Sequence, residues 1–178
     1  MSLTSVESKA LKDLIRDVPD FPKKGILFKD ITTVLKDGAA FRSAVDAIAN
    51  AFRKQGITSV VCIEARGFVL GSAVAYALGC GVVPVRKKGK LPCKTYGADY
   101  DLEYGTDTLE IHCDAVAPTD KILVVDDLLA TGGTVSAVLA LCKRFKAKVG
   151  GLAFFVELEF LKGRQRLVDY PVYSVVQF

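Results

Sequence analysis

Apolar positions follow two rhythms along this chain, and the rhythms alternate. Residues 5–18 read as an amphipathic helix: Thr4 and, three positions on, Glu7 make a capping-box pattern, and Pro19 and Pro22 end the helical spacing. The loop DFPKKG leads to ILFKDITTVL. Residues 39–54 then carry Phe41, Val45, Ile48 and Phe52 at the spacing of one helical face, closed by Gln55-Gly56. TSVVCIE, residues 58–64, is a continuous apolar run, as expected of a strand covered on both faces. GFVLGSAVAYALG reads as a buried helix and GVVPVRK as a strand. From residue 89 to 116 the chain turns polar and aromatic, and the alternation in DTLEIH suggests an antiparallel ribbon. The strand KILVVDD, the helix TVSAVLALCKRFKA, the strand VGGLAFFVE, a short basic helix around LKGRQRL and the strand VYSVVQF complete the series. Strand and helix alternate throughout, so the fold class expected is α/β, a central parallel sheet flanked by helices.

Composition narrows the class without changing that picture. The 178 residues suit one domain spanning 1–178 with a substantial core, and 51% hydrophobic with 25% charged residues excludes disorder or a fibrous repeat. A net charge of +4 suits an anionic small molecule and is too scattered to argue for nucleic acid. Five cysteines without a C-x-x-C spacing fit a reducing compartment, in which cysteine serves as a small hydrophobe. The first residues lack the apolar segment of a signal peptide, and no run approaches a membrane span, so the expectation is a cytoplasmic protein with no membrane partner.

The chemistry concentrates in KILVVDDLLATGGT, residues 121–134. In an open α/β sheet, ligands bind beyond the carboxyl ends of the strands, where Asp126 and Asp127 fall. Ala130, Thr131, Gly132, Gly133 and Thr134 come next, at the start of a helix, where free backbone N–H groups and the positive dipole end favour an anion. Acids for ribose hydroxyls beside a glycine turn for a phosphate describe a ribose 5-phosphate. A helix cap with a tight turn is the plainer reading of any one of these residues. A response-regulator receiver also ends a strand with two acids, but it does so on its first strand, whereas most of this chain precedes the pair. No G-K-[ST] or G-x-G-x-x-G occurs, which removes the Walker A loop and the dinucleotide fingerprint.

VVDDLLATGGT resembles the 5-phosphoribosyl 1-pyrophosphate (PRPP) signature of type I phosphoribosyltransferases. DFPKKGILFKDITTVL, EARGFVLG, RKKGKLP, YDLEYG and VELEFLKGRQRL, in that order, resemble the adenine-using branch of that family. The resemblance implies a type I phosphoribosyltransferase fold with an N-terminal base-binding hood over about residues 1–35 and a flexible catalytic loop or ribbon over about 89–116. It implies transfer of phosphoribosyl from PRPP to adenine, giving AMP and pyrophosphate, with Mg2+ carried by PRPP rather than bound by the protein, and a homodimer. By position, Asp126 and Asp127 take the ribose hydroxyls and residues 130–134 the 5′-phosphate. Arg66, Lys87 and Lys90 meet pyrophosphate, with a non-proline cis peptide at Glu64-Ala65. Leu27 and Lys29 offer backbone groups to the base, and Phe28 and Leu128 sandwich its ring. Lys24 and Lys29 stand where the family has proline and arginine. At residue 29 the change matters only if the contact is through the guanidinium, whose planar fork lysine lacks.

The base must lose a ring proton as the glycosidic bond forms, and Glu103 in YDLEYG is assigned as the acceptor, with Arg66 as the second catalytic residue. Taken alone, Glu103 reads as a solvated loop acid. Tyr104 either packs on the substrate or anchors the ribbon. The lone His112 is read as a surface or hairpin residue. Two other readings stay open: a phosphoribosyltransferase for xanthine or another base, and a non-catalytic regulator of the same fold that binds PRPP or a nucleotide.

Overall fold

The computed structural model describes residues 5–102 and 105–178. Helix α1 (Ser5–Leu14) ends earlier than its apolar pattern suggests, and Thr4 of the expected capping box lies outside the described residues. Residues expected to prolong the helix instead form strand β1 (Arg16–Pro19), paired antiparallel with β2 (Leu27–Asp30) as a separate two-stranded sheet. A four-residue strand carries almost no local signal, and its pairing partner supplies the reason it is extended. A one-turn helix α2 (Thr32–Leu35) comes next. It is tied to β2 by Asp30, whose Oδ1 accepts from Thr32 N at 2.9 Å and whose Oδ2 accepts from the Arg16 guanidinium. That arginine contact comes first among the causes that hold the Asp30 carboxyl down at about 2.

Helix α3 (Gly38–Phe52) opens on Asp37, whose side chain accepts from Ala39 N and Ala40 N at 3.0 and 2.9 Å and satisfies two otherwise unpaired donors. Strands β3 (Ser59–Ile63) and β4 (Gly81–Lys87) flank α4 (Arg66–Leu78), which ends on Gly79 in the left-handed region. β5 (Thr95–Leu102) and β6 (Gly105–His112) form the expected antiparallel ribbon. β7 (Lys121–Leu129), α5 (Gly133–Lys143), β8 (Lys148–Glu157) and β9 (Val172–Gln177) complete the order. The expected basic helix at LKGRQRL is instead two 3-10 turns, Glu159–Leu161 and Gly163–Arg166, divided at Lys162, which adopts a left-handed φ of 55°.

The strands form one seven-stranded sheet in the order β5-β6-β4-β3-β7-β8-β9. The five strands from β4 to β9 are parallel and the ribbon adds two antiparallel strands at one edge. Alternate residues feed two cores. Val60, Cys62, Leu123, Val125 and Phe155 join Leu70 and Val74 of α4 and Ile48 of α3 on one face. Val61, Ile63, Ile122, Val124 and Phe154 join Val138 and Leu141 of α5 on the other. This two-sided burial is why β3, β7 and β8 read as unbroken apolar runs.

The close seat of α4 on the sheet depends on a glycine. A Cβ on Gly71 would lie 2.2 Å from Cys62 Sγ. Burial pushes the Cys62 thiol up to about 12, so it packs there as a neutral hydrophobe. Gly71→Ala is therefore expected to destabilise the fold by about 1–3 kcal/mol through overpacking, read as a lower denaturant midpoint with an unchanged slope.

Candidate functional site

β7 does not stop at the acid pair. It continues through Leu128 and Leu129, because Leu128 pairs with Val156 and Leu129 with Glu157 on β8. The pair therefore lies just beyond the last residue of β7 paired with β3, Val125, and is held by β8 on the other side. From this strand end the chain passes through Ala130 and Thr131 to Gly132, whose φ of +83° opens the first turn of α5. No side chain caps that helix. Its first N–H groups have no partner within the helix, the condition for anion capture at a helix start. Ser136 tightens the turn by donating its Oγ to Gly132 O at 2.7 Å.

These groups surround a cleft of about 420 Å³. All of residues 126–134 line it, together with Glu64, Ala65 and Arg66 from the loop between β3 and α4. The structure thus brings together Asp126, Asp127, Ala130, Thr131, Gly132, Gly133, Thr134, Leu128 and Arg66 in one cleft. The Glu64-Ala65 peptide is cis.

Electrostatics in the cleft are unusual for exposed acids. Burial first, and the charge of Asp127 second, push the Asp126 carboxyl well above the usual range, although Asp126 keeps some surface open to the cleft mouth. Asp127, 6% exposed, is also raised by burial, with the Arg66 charge opposing. Arg66 Nε stands 2.6 Å from Asp127 Oδ2, but its N–H is not aligned, so that buried oxygen lacks a hydrogen-bond donor. Asp126 Oδ1 accepts from Asp127 N at 2.9 Å. A ligand with O–H groups at this point would supply the donor the carboxylate lacks.

Arg66 also faces a second, smaller hollow lined by Val18, Phe21, Phe28, Asp30 and Arg66 itself. Its guanidinium lies 4.8 Å from the centroid of the Phe28 ring, against which Phe21 packs edge-on at 5.1 Å. Phe28 is thus beside the main cleft, across Arg66 from Asp127. Leu27 is exposed. The Lys29 side chain turns the other way: only 10% exposed, it places Nζ 2.6 Å from Asp17 Oδ1 and 3.9 Å from the centroid of Phe178. Its ammonium is therefore engaged between Asp17 of β1 and Phe178, the residue after β9.

Lys87 and Lys90 are engaged with acids. Lys87 Nζ lies 3.0 Å from Asp107 Oδ2 on β6, and Lys90 Nζ 2.6 Å from Glu64 Oε1. Glu64 also accepts from Arg86 and from Lys87 N. Burial acts to raise the Glu64 carboxyl, but the bonds from Lys90, Arg86 and Lys87 N outweigh it and hold the group at about 2. A carboxyl so depressed contributes stability that is present above its ordinary value of 4.5 and lost as pH falls towards 2. Glu64→Gln is expected to be less stable than the parent at pH 7, and the gap should narrow at pH 3 in denaturant titrations. A gap independent of pH would show that Glu64 acts by packing alone.

Glu103 and Tyr104 lie outside the described residues. Among the cleft residues that the sequence reading did not single out, Tyr100 of β5 carries a polar group, its hydroxyl lying 3.4 Å from Asp107 Oδ2. The alternation of Tyr96, Ala98 and Tyr100 carried that signal, since all three pack on the α5 face of the sheet. Val18, Phe21 and Asp30 were also missed, because they reach the smaller hollow only through the pairing of β1 with β2.

Comparison with known proteins agrees with this geometry. The family described as Phosphoribosyl transferase domain matches residues 30–177. The adenine phosphoribosyltransferase of Syntrophotalea carbinolica is 58% identical over 168 residues, covering 94% of this chain and 98% of the relative. The crystal structure of the Rhodothermus marinus adenine phosphoribosyltransferase superposes with a TM-score of 0.94 at 50% identity, covering 98% of this chain and 100% of that one. The Saccharomyces cerevisiae enzyme, solved with adenine and D-2,5-dideoxy-2,5-imino-altritol 1,6-bisphosphate, superposes at 0.91 with 38% identity, over 97% and 99% of the two chains.

Proposed function

The chain belongs to the adenine phosphoribosyltransferase family, with the type I fold, and from that premise we propose how its own residues carry the reaction adenine + PRPP giving AMP and pyrophosphate. The observation that carries the reading is the meeting, in one cleft, of a buried acid pair with an uncapped helix start and the arginine-bearing loop 64–66. Acids at that place accept from ribose hydroxyls, and the amides and hydroxyls of residues 130–134 take the 5′-phosphate. The saccharide of PRPP so held presents its anomeric carbon between Arg66 and the hollow beside Phe28.

Breaking the bond from that carbon to pyrophosphate leaves a cation-like sugar and a departing polyanion. Arg66, Lys87 and Lys90 stabilise the polyanion, the two lysines exchanging Asp107 and Glu64 for phosphate oxygens. Bound magnesium, arriving with PRPP, would supply further charge neutralisation beside Arg66, Lys87 and Lys90. Among the described residues no group of three or more His, Cys, Asp or Glu is clustered to hold a metal. The ring nitrogen of adenine, held between Phe28 and Leu128 with backbone contacts from Leu27 and Lys29, forms the new bond. Its proton passes to Glu103. We propose a homodimer in the cytoplasm. The absence of disulfides among five free cysteines supports a reducing compartment, and no described helix is long and apolar enough to cross a membrane.

Incubating the protein with PRPP, magnesium and each purine and pyrimidine base in turn tests the reading. AMP from adenine is expected as the fastest product. A faster reaction with xanthine or another base moves the substrate assignment, and no nucleotide from any base leaves a binding protein of the same fold.

A further inference from the structure

The two 3-10 turns after β8 line neither hollow, yet one of them presses on the loop that does. Gly163 is buried, and a Cβ there would lie 2.1 Å from Ala130 O and 3.1 Å from Gly132 N. Seen from the other side, a Cβ on Gly132 would lie 2.9 Å from Gly163 O. The main chain at 163 and the main chain at 130–132 are therefore in direct contact, with no room for a side chain between them.

Arg164 explains why the turn stays there. Its Nε donates to Glu157 Oε1 at 2.9 Å, its Nη2 to Glu157 Oε2 and, at 3.3 Å, to Ser174 Oγ, and its Nη1 to Val172 O at 3.0 Å. Glu157, 3% exposed, takes two further donors, Ser174 Oγ at 2.7 Å and Gln177 Nε2 at 3.4 Å. The Arg164 bond is the foremost cause of a Glu157 carboxyl held below its ordinary range, so the pair stays ionised. Glu157 also stands in register with Leu129, the residue before the loop, and Leu158 N donates to Leu129 O at 2.9 Å. A continuous line of contacts thus runs from β9 through Glu157 and Arg164 to Gly163 and the loop.

We propose that Gly163 and Arg164 are positioning residues for the sugar phosphate, the Arg164–Glu157 fork clamping the turn so that the Gly163 main chain fixes residues 130–132 from behind. The inference rests on the reading that this loop binds the 5′-phosphate. Lysine cannot replace the arginine, because one ammonium cannot span two carboxylate oxygens, a carbonyl and a hydroxyl in a plane. Arg164 touches no substrate in this scheme, and its influence passes entirely through the loop.

Calorimetric titration with ribose 5-phosphate and steady-state kinetics with magnesium, PRPP and adenine test it, using Arg164→Lys, Gly163→Ala and the milder Ser174→Ala. The dissociation constant for ribose 5-phosphate and KM for PRPP should rise together, on the order of 10–100-fold for the first two variants, as expected when a binding loop shifts by a fraction of an ångström or more. Ser174→Ala should show a smaller rise in the same direction, and KM for adenine should not rise in any of the three. Variants that melt earlier but bind ribose 5-phosphate as the parent does would overturn the brace, as would equal losses for adenine and PRPP. Failure of the parent protein to bind ribose 5-phosphate would overturn the phosphate reading of the loop and the brace with it.

Discussion

Glu103→Gln is expected to lower kcat by roughly 10²–10⁴-fold while leaving PRPP binding intact, the loss that accompanies removal of a proton acceptor from the chemical step. The flanking strands β5 and β6 are paired in register from Thr95–His112 to Leu102–Gly105 at the sheet edge. Tyr100, three positions before Glu103, already lines the cleft with Asp126 and Asp127. Glutamine keeps the size and hydrogen-bonding shape and loses only the basicity. Single-turnover measurement of AMP formation isolates the chemistry from product release. An unchanged single-turnover rate would take Glu103 out of the mechanism and leave it as a loop acid.

Asp127→Asn should weaken PRPP binding by roughly 10–150-fold, the equivalent of a charge-assisted hydrogen bond worth about 1.5–3 kcal/mol. The carboxylate is nearly buried, carries an oxygen without a donor, and faces Arg66 at 2.6 Å. Asparagine loses the charge and turns one acceptor oxygen into a donor, which weakens the acceptor offered to a ribose hydroxyl in the proposed arrangement and frees the arginine from its partner. Adenine, which meets neither carboxylate oxygen in the proposed arrangement, should be affected little. Titrations of PRPP and kinetics in adenine separate the two, and matching losses for both substrates would undercut the ribose assignment.

How much of this site is legible in the sequence depends on the range of the contacts involved. The acid pair and the loop at 130–134 sit within nine consecutive residues, so their chemistry is readable locally, and the parallel sheet is legible because two-sided burial leaves unbroken apolar runs. β1 was hidden because its extended form depends on Asp30, Lys29, Phe28 and Leu27 across the pairing, while the preceding apolar spacing continues the helical rhythm. The direction of the Lys29 side chain was undecidable for the same reason: its partners are Asp17 and Phe178, the latter at the far end of the last strand. LKGRQRL has the composition of a helix, but the left-handed turn at Lys162 and the fork of Arg164 onto Glu157 divide it. Tyr100 is legible only through the alternation of Tyr96, Ala98 and Tyr100 on β5, because YDLEYG itself carries its clearest chemical signal in Glu103.

The hollow beside Phe28 is built on a two-stranded sheet of its own, whereas the sugar-phosphate cleft is built on the seven-stranded one. Arg66 is the residue that lines both. In the proposed arrangement the Phe28 wall of the base pocket and the grip on the sugar are therefore encoded in separate stretches of the gene, and Leu128 alone of the ring's two walls shares the sugar's stretch. Under the proposed arrangement, changes confined to codons 16–30 would reshape the Phe28 wall of the base pocket while Leu128, the acid pair and residues 130–134 are inherited unchanged.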